Sequence, residues 1–144
     1  MNAIISNRRA YFDYQVLETY EAGIELKGLE VKSVKSGRMN IAGSHVIIRG
    51  GEAWLINCDI PPYQPKNAPD DYDSKRTRRL LFRKPEIKSF IGQTEKGLTL
   101  VPLKVYIKNR KVKLGVGLAR LRKKIDKREL LKKREAERTI RKYK

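Results

Sequence analysis

Cysteine, histidine and tryptophan occur once each in the 144 residues, at Cys58, His45 and Trp54. One thiol permits neither an internal disulfide nor a thiolate metal cluster, and fits a reducing compartment. One imidazole leaves little for nucleophile–base catalysis, because His45 lies in a strand-like run where a structural histidine is the ordinary reading. No apolar run approaches the roughly 20 residues of a membrane-spanning helix. The N-terminal MNAIISNRRAYF has no long apolar core before its first charges, so a cytoplasmic protein is expected. P-loop and dinucleotide-type glycine motifs are also missing. The expectation is a protein with no catalytic residues, no cofactor and no bound metal.

Positive charge is what the chain has in abundance: a net charge of +18 and a pI near 10.2. It is unevenly placed, with +4 over residues 1–103 and +14 over residues 104–144. The last 25 residues, Arg120 to Lys144, hold 13 Lys or Arg against Asp126, Glu129, Glu135 and Glu137, with no Gly or Pro. Such an arm favours nucleic acid, whose phosphates release counterions as bases approach. Anionic membrane is the competing polyanion, but the arm lacks the aromatic and leucine-rich face of an interfacial helix, so no membrane partner is expected. Leu121, Ile125, Leu130 and Leu131 make no continuous stripe, which predicts a tail disordered when free. Good helix formers and the i,i+4 pairs Glu129–Lys133 and Glu137–Arg141 predict a helix once a polyanion neutralises it.

Before the arm the pattern is mainly β. Tyr14 to Tyr20 alternates as a strand, and Glu21-Ala22-Gly23 reads as a tight reversal into a returning strand over Ile24 to Lys27. Gly28 to Gly37 suggests a short helix. His45 to Arg49 and Glu52 to Asn57 flank Gly50-Gly51, a strong hairpin signal. Residues 61–75 carry four of the six prolines and three aspartates, so a long exposed loop is expected. Pro85 opens a short helix ending near Gly92. Leu103, Val105 and Ile107 alternate inward, and after Asn109-Arg110 so do Val112, Leu114, Val116 and Leu118. Together these predict a small antiparallel barrel of oligonucleotide-binding type with one to three short helices. Residues 1–118 would form this β-barrel RNA-binding domain and 119–144 the basic tail.

Within the barrel, Lys32 and Lys35 flank the first helix, and Arg76, Arg78 and Arg79 cluster before an apolar run; both groups are candidate phosphate contacts, with a solvated face as the competing reading. Tyr63, Tyr72 and Tyr106 are candidates for stacking on unpaired bases. Asp70, Asp71 and Asp73 suggest Mg²⁺ and a nuclease, but no rigid element underlies their proline-rich loop, and solvated carboxylates are the default.

Ordered motifs then carry a resemblance along nearly the whole chain. They are Asn7-Arg8-Arg9-Ala10 with Asp13-Tyr14, Glu21-Ala22-Gly23-Ile24, Glu30-Val31-Lys32-Ser33 and Gly51-Glu52-Ala53-Trp54-Leu55. Pro62-Tyr63, Arg76-Thr77-Arg78-Arg79-Leu80-Leu81, Leu100-Val101-Pro102-Leu103 and Asp126-Lys127-Arg128 complete the set. The chain resembles the small protein B family, the SsrA (transfer-messenger RNA) binding proteins of bacterial ribosome rescue.

The resemblance implies an adaptor whose barrel grips the tRNA-like domain of transfer-messenger RNA and whose tail enters the decoding centre and empty messenger channel of a stalled ribosome. Its partners would be that RNA, the ribosome with its small-subunit rRNA, and elongation factor Tu as an additional member of the complex. By position, Asn7, Glu21 and Leu81 resemble family residues that hold the RNA, although Leu81 read alone is equally a core residue. Arg122, Lys123, Asp126, Lys127 and Arg128, continuing into Lys132, Lys133 and Arg134, resemble the tail that works on the ribosome. The chain departs from the family pattern at Phe12, Leu121 and Ile125, where His, Gly and an aromatic or His are usual; Ile125 supplies no π face. The competing function is a general ribosomal or RNA-chaperone protein that neutralises any RNA.

Overall fold

The computed structural model describes residues 3–142, with side chains to 138. In chain order it contains β1 (Ile5–Ser6), α1 (Arg8–Asp13), β2 (Tyr14–Ile24), α2 (Gly28–Lys35), β3 (His45–Arg49), β4 (Glu52–Ile56), β5 (Arg78–Leu81), α3 (Lys84–Glu95), β6 (Thr99–Lys108), β7 (Lys111–Leu121) and α4 (Lys124–Lys142). Six strands pair antiparallel in the ring β6–β3–β4–β5–β2–β7, and β7 returns to β6. The expected closed barrel is therefore present, and closure removes the free sheet edges that would otherwise invite pairing with other chains. β1 adds to β6 at Val105 and Lys104.

Two hairpins form where the turn chemistry placed them. Gly50 and Gly51 adopt φ of 61° and 73°, and Asn109 and Arg110 adopt 52° and 65°, the paired positive values that match strand twist in two-residue turns. Val112, Leu114, Val116 and Leu118 all enter the core, as their alternation predicts. β7 nevertheless runs on to Leu121, three residues past the expected end of the barrel.

The expected reversal at Glu21-Ala22-Gly23 does not occur: β2 is one continuous strand. Gly23 is not among the residues with positive φ. Its missing side chain serves a close approach instead, since a Cβ there would stand 3.2 Å from Cβ of Leu81 on β5.

Bulges also correct the expected facing. One lies between Val16 and Glu18 in β2 and another between Pro102 and Lys104 in β6. A single extra residue exchanges the two faces of a strand. Tyr14 and Val16 thus pack outside the barrel under α1, together with Ala10, Val101, Leu103 and Ala119, whereas Tyr20, Ala22 and Ile24 line the main core. Leu103, expected inside with Val105 and Ile107, belongs to the outer cluster.

The helices close the remaining gaps. α2 buries Val34, and α3, with proline in its first turn as expected, buries Phe90 edge-on against Tyr20 and Phe82. A fully buried side chain of this size contributes about 1.5–3 kcal/mol by area. The 61–75 loop holds only a 3₁₀ turn, Pro65–Asn67, and Tyr72 anchors it by donating its hydroxyl to the Ile60 carbonyl at 2.8 Å.

A buried ion pair joins these parts. The Glu30 carboxylate, 1% exposed, accepts from Arg78 Nε at 2.8 Å, from Arg76 Nη2 at 2.6 Å and from the Lys27 amide at 2.8 Å. Arg78, wholly buried, donates its other hydrogens to the carbonyls of Cys58, Ser74 and Arg76. Burial alone would raise the Glu30 pKa, but Arg76, the Lys27 amide and Arg78 hold it below the usual carboxylate value. Glu30→Gln leaves the Arg78 charge buried without its counterion, a change that costs about 3–5 kcal/mol where a pair is truly enclosed. A fall in the thermal midpoint well beyond that of a surface substitution is expected, and a calorimetric scan matching the parent chain would contradict the assignment.

Candidate nucleic-acid interface

The bulges in β2 and β6 decide which side chains reach the outer face. Past them Glu21 on β2 and Lys104, Tyr106 and Lys108 on β6 point outward, with β7 between the two strands. In register, Glu21 lies opposite Gly115, and Gly115 opposite Lys104. Glu21 accepts from the Tyr106 hydroxyl at 2.6 Å and pairs with Lys108 Nζ at 3.3 Å. The Tyr106 hydrogen bond, with Lys108 and Lys113 adding attraction, holds its carboxyl below the usual value against a smaller effect of burial. Burial and the same bond push the Tyr106 phenol up to about 12. The result is a carboxylate acceptor, favoured in its ionised form, on a basic surface.

Leu81 shares this face. It is opposite Gly23 and 45% exposed, so it stands free of the core and lines a groove of about 280 Å³ with Ile24, Leu26, Val31 and the basic rim Arg110, Lys111 and Lys113. A second groove, of about 290 Å³, lies at Glu21 between Tyr11, Lys104 and Tyr106. An acceptor, an exposed leucine and a ring of cations can receive an unpaired nucleotide and its phosphates.

Other expected site residues lie elsewhere. Asn7 is 6% exposed; its amide donates to the Pro102 carbonyl at 2.9 Å and its side-chain oxygen accepts from the Ala10 amide at 3.3 Å, capping α1. It positions α1 rather than offering a free amide. Arg78 cannot be the phosphate contact expected of it, because its guanidinium is enclosed with Glu30. Arg76 is partly exposed but bound to Glu30, and Arg79 is shared between Glu25 at 3.0 Å and Glu52 at 2.8 Å. The arginine cluster is therefore compensated by acids distant in sequence. Lys32 is exposed on α2 beside Pro62 and Tyr63.

The aromatic and acidic candidates divide similarly. Tyr63 is 40% exposed with Arg38 over its ring, whereas Tyr72 and Tyr106 have their hydroxyls engaged. Asp73 accepts from the Lys75 amide within its own loop, and among the described residues no group of His, Cys, Asp or Glu is placed to hold a metal ion. The sequence reading overlooked Gly115 and Tyr11; the outward alternation of Lys104, Tyr106 and Lys108 was visible, but not the strand that would bring Glu21 to it.

The tail forms α4, the helix that its good helix formers and i,i+4 pairs predict. Its start is fixed by Asp126, which accepts from the Lys123 amide at 3.3 Å, and by the Arg122 amide, which donates to the Asp13 carbonyl at 2.8 Å. Lys127 pairs with Asp13 at 3.2 Å, and Arg9, Lys127 and Arg134 all lie within 6 Å of the Phe12 ring, inside cation–π range. Thus Phe12, a departure from the family pattern, seats the tail on α1. Arg128, Lys132 and Lys133 remain exposed, as do Leu121 and Ile125. The Glu137–Arg141 pair falls outside the described side chains. Among the described residues no helix is long and apolar enough to cross a membrane.

Burial raises the Asp13 carboxyl, but the Arg9 and Lys127 contacts outweigh it and hold the group below its usual value. A lowered pKa gives a contribution complete above the ordinary carboxylate pKa and lost as pH falls through the lowered one. Asp13→Asn is therefore expected to speed amide exchange in the first turns of α4 while sparing the barrel, and acidification of the parent chain to do the same. Exchange in α4 that ignored both changes would show that another contact holds it.

Comparison with known proteins bears on this interface. The family model described as SmpB protein matches residues 4–144. The SsrA-binding protein of Gloeothece citriformis is 54% identical over 138 residues, covering 95% of this chain and 89% of the relative. That of Carboxydothermus hydrogenoformans is 51% identical over 140 residues, covering 96% and 93%. A solved chain from the structure "tmRNA-SmpB: a journey to the center of the bacterial ribosome" is similar with a TM-score of 0.68 and 46% identity, covering 83% of this chain and 85% of that one. With its closed barrel, its exposed acceptor and its basic arm matched over almost their full length, the chain belongs to the SmpB protein family.

Proposed function

We propose that this chain binds transfer-messenger RNA and delivers it to stalled ribosomes, as the RNA-binding adaptor of trans-translation. The observation that carries the reading is identity near one half, over almost the whole chain, to relatives named SsrA-binding proteins; likeness to a tmRNA–SmpB structure of the ribosome supports it. The chain acts by binding, and the chemistry of peptide transfer stays with its partners, in the cytoplasm.

On the barrel, Glu21 and Leu81 take the tRNA-like domain, Asn7 acts by holding α1, and Arg78 acts through the Glu30 network that fixes β5. Lys32, Arg76 and Arg79 contribute phosphate attraction at the margins, reduced for both arginines by their acidic partners. In the tail, Arg122, Lys123, Lys127, Arg128, Lys132, Lys133 and Arg134 meet ribosomal RNA phosphates in the decoding centre and messenger channel, and Asp126 secures the first turn of the helix. Elongation factor Tu joins the complex on delivery. Linking two sites in one chain makes the second encounter intramolecular, so a vacant channel strengthens the whole attachment.

A combined Arg128→Ala, Lys132→Ala and Lys133→Ala variant separates these roles. It is expected to keep most of its preference for the tRNA-like domain and to lose tagging on stalled ribosomes by an order of magnitude or more, each lost phosphate contact weakening rRNA binding. Normal tagging by this variant would remove the role given to the tail.

A further inference from the structure

Glu21 and Tyr106 are 85 residues apart in sequence and sit on strands that do not pair with each other. Their side chains meet above β7 because Gly115 lies between Glu21 and Lys104 and presents no side chain. The gap is tight: a Cβ on Gly115 would stand 3.1 Å from Lys104 Cγ. Lys104 lies along the gap with its ammonium 5.5 Å from the centre of the Tyr106 ring. A trough results, with the Glu21 carboxylate at one side and the basic edge of β6 at the other.

Tyr106 is only 7% exposed, so its ring is not a free stacking platform. Its polar end is committed to Glu21 at 2.6 Å. A donated phenol hydrogen occupies one lone pair of Oε2 and restrains the rotation of the carboxylate. The remaining lone pairs accept but never donate. Phosphate oxygens and the acceptor edges of bases are repelled there, whereas base N–H groups and ribose hydroxyls are received.

We propose that Tyr106 is a positioning residue for RNA recognition, fixing the Glu21 carboxylate across the trough over Gly115 so that the seated nucleotide is selected by the N–H or O–H donors it brings. The inference rests on the proposed binding of transfer-messenger RNA at Glu21 and deepens it: bases draw the RNA to this surface, and the held carboxylate chooses the nucleotide. Three charged groups face that carboxylate, Lys104 and Lys108 from β6 and Lys113 from β7; the phenol is the neutral donor among them.

Tyr106→Phe keeps the ring and removes only the hydroxyl. Binding of the full chain to the tRNA-like domain and to an unrelated hairpin of equal length, compared at high salt, is the readout. The ratio of the two affinities is expected to fall roughly tenfold, the loss of one hydrogen bond to a charged group. Glu21→Gln should lower it at least as far, and the double variant no further than Glu21→Gln alone. Because the carboxyl loses a donor that lowers its pKa, the preference of Tyr106→Phe should also fail at a higher pH on acidification than that of the parent. Gly115→Ala, which fills the trough from its floor, should reduce the ratio with both side chains intact. If Glu21→Gln lowers the ratio while Tyr106→Phe leaves it and its pH profile unchanged, the positioning role is overturned and the binding site stands. If Glu21→Gln has no effect either, the assignment of RNA to Glu21 fails with it. Equal loss of both RNAs by Tyr106→Phe would also overturn the inference, as the effect of general charge or packing.

Discussion

The enclosed pair of Glu30 and Arg78 is the constraint on which the rest of this structure depends. One guanidinium gathers the end of the 61–75 loop at Ser74, the segment after β4 at Cys58 and the first turn of α2 through Glu30. The same residue begins β5, the shortest strand of the ring, which has only four residues with which to bridge β4 and β2. Ring closure in this sector thus rests on a charge pair that burial makes expensive to break. Its functional product lies three residues further on, where Leu81 is held against Gly23 and presented outward on the surface that carries Glu21.

That surface and the tail are two different kinds of binding device. The barrel face offers few groups in fixed positions, and its carboxylate is held by a phenol and a lysine. The tail offers many equivalent cations on a helix that is anchored to α1 at Asp13 and Phe12. Fixed acceptors supply discrimination, while mobile or loosely seated bases supply salt-sensitive attraction. The α1 helix stands between them: Asn7 caps it, Ala10 pins it to Val101, Leu103 and Ala119, and its last two residues receive α4. A change at Asn7 therefore propagates to both devices, which accounts for a buried residue standing among the motifs that mark the family.

Much of the fold was legible from local chemistry. Gly50-Gly51 and Asn109-Arg110 demand particular backbone angles, and the apolar alternation in β7 is uninterrupted, so each element could be read from its own residues. Bulges were not legible, because one inserted residue leaves no compositional mark while exchanging faces; Leu103 was misplaced for that reason. Gly23 was read as a turn because glycine permits positive φ, but glycine also permits close packing, and only the position of Leu81 decides between them. The short α1 buries a single residue, Ala10, and has no apolar period to announce it. At the site, Glu21 and Leu81 came from resemblance, whereas the fate of Arg76, Arg78 and Arg79 depended on Glu30, Glu25 and Glu52, whose proximity is a property of the closed ring. The tail's basicity was evident, but its seat on α1 needed the contact between Phe12 and the cations of α4.

The central claim, that recognition belongs to the barrel face and attraction to general charge, is tested most directly by a salt titration. Binding of the full chain and of Glu21→Ala would be followed against the tRNA-like domain of transfer-messenger RNA, an ordinary tRNA and an unrelated hairpin. All three affinities should fall with salt by phosphate screening. The account predicts that preference for the tRNA-like domain persists at high salt in the parent chain and collapses in Glu21→Ala. Equal affinities for the three RNAs, falling together with salt in both chains, would contradict it and leave a generic basic RNA-binding protein.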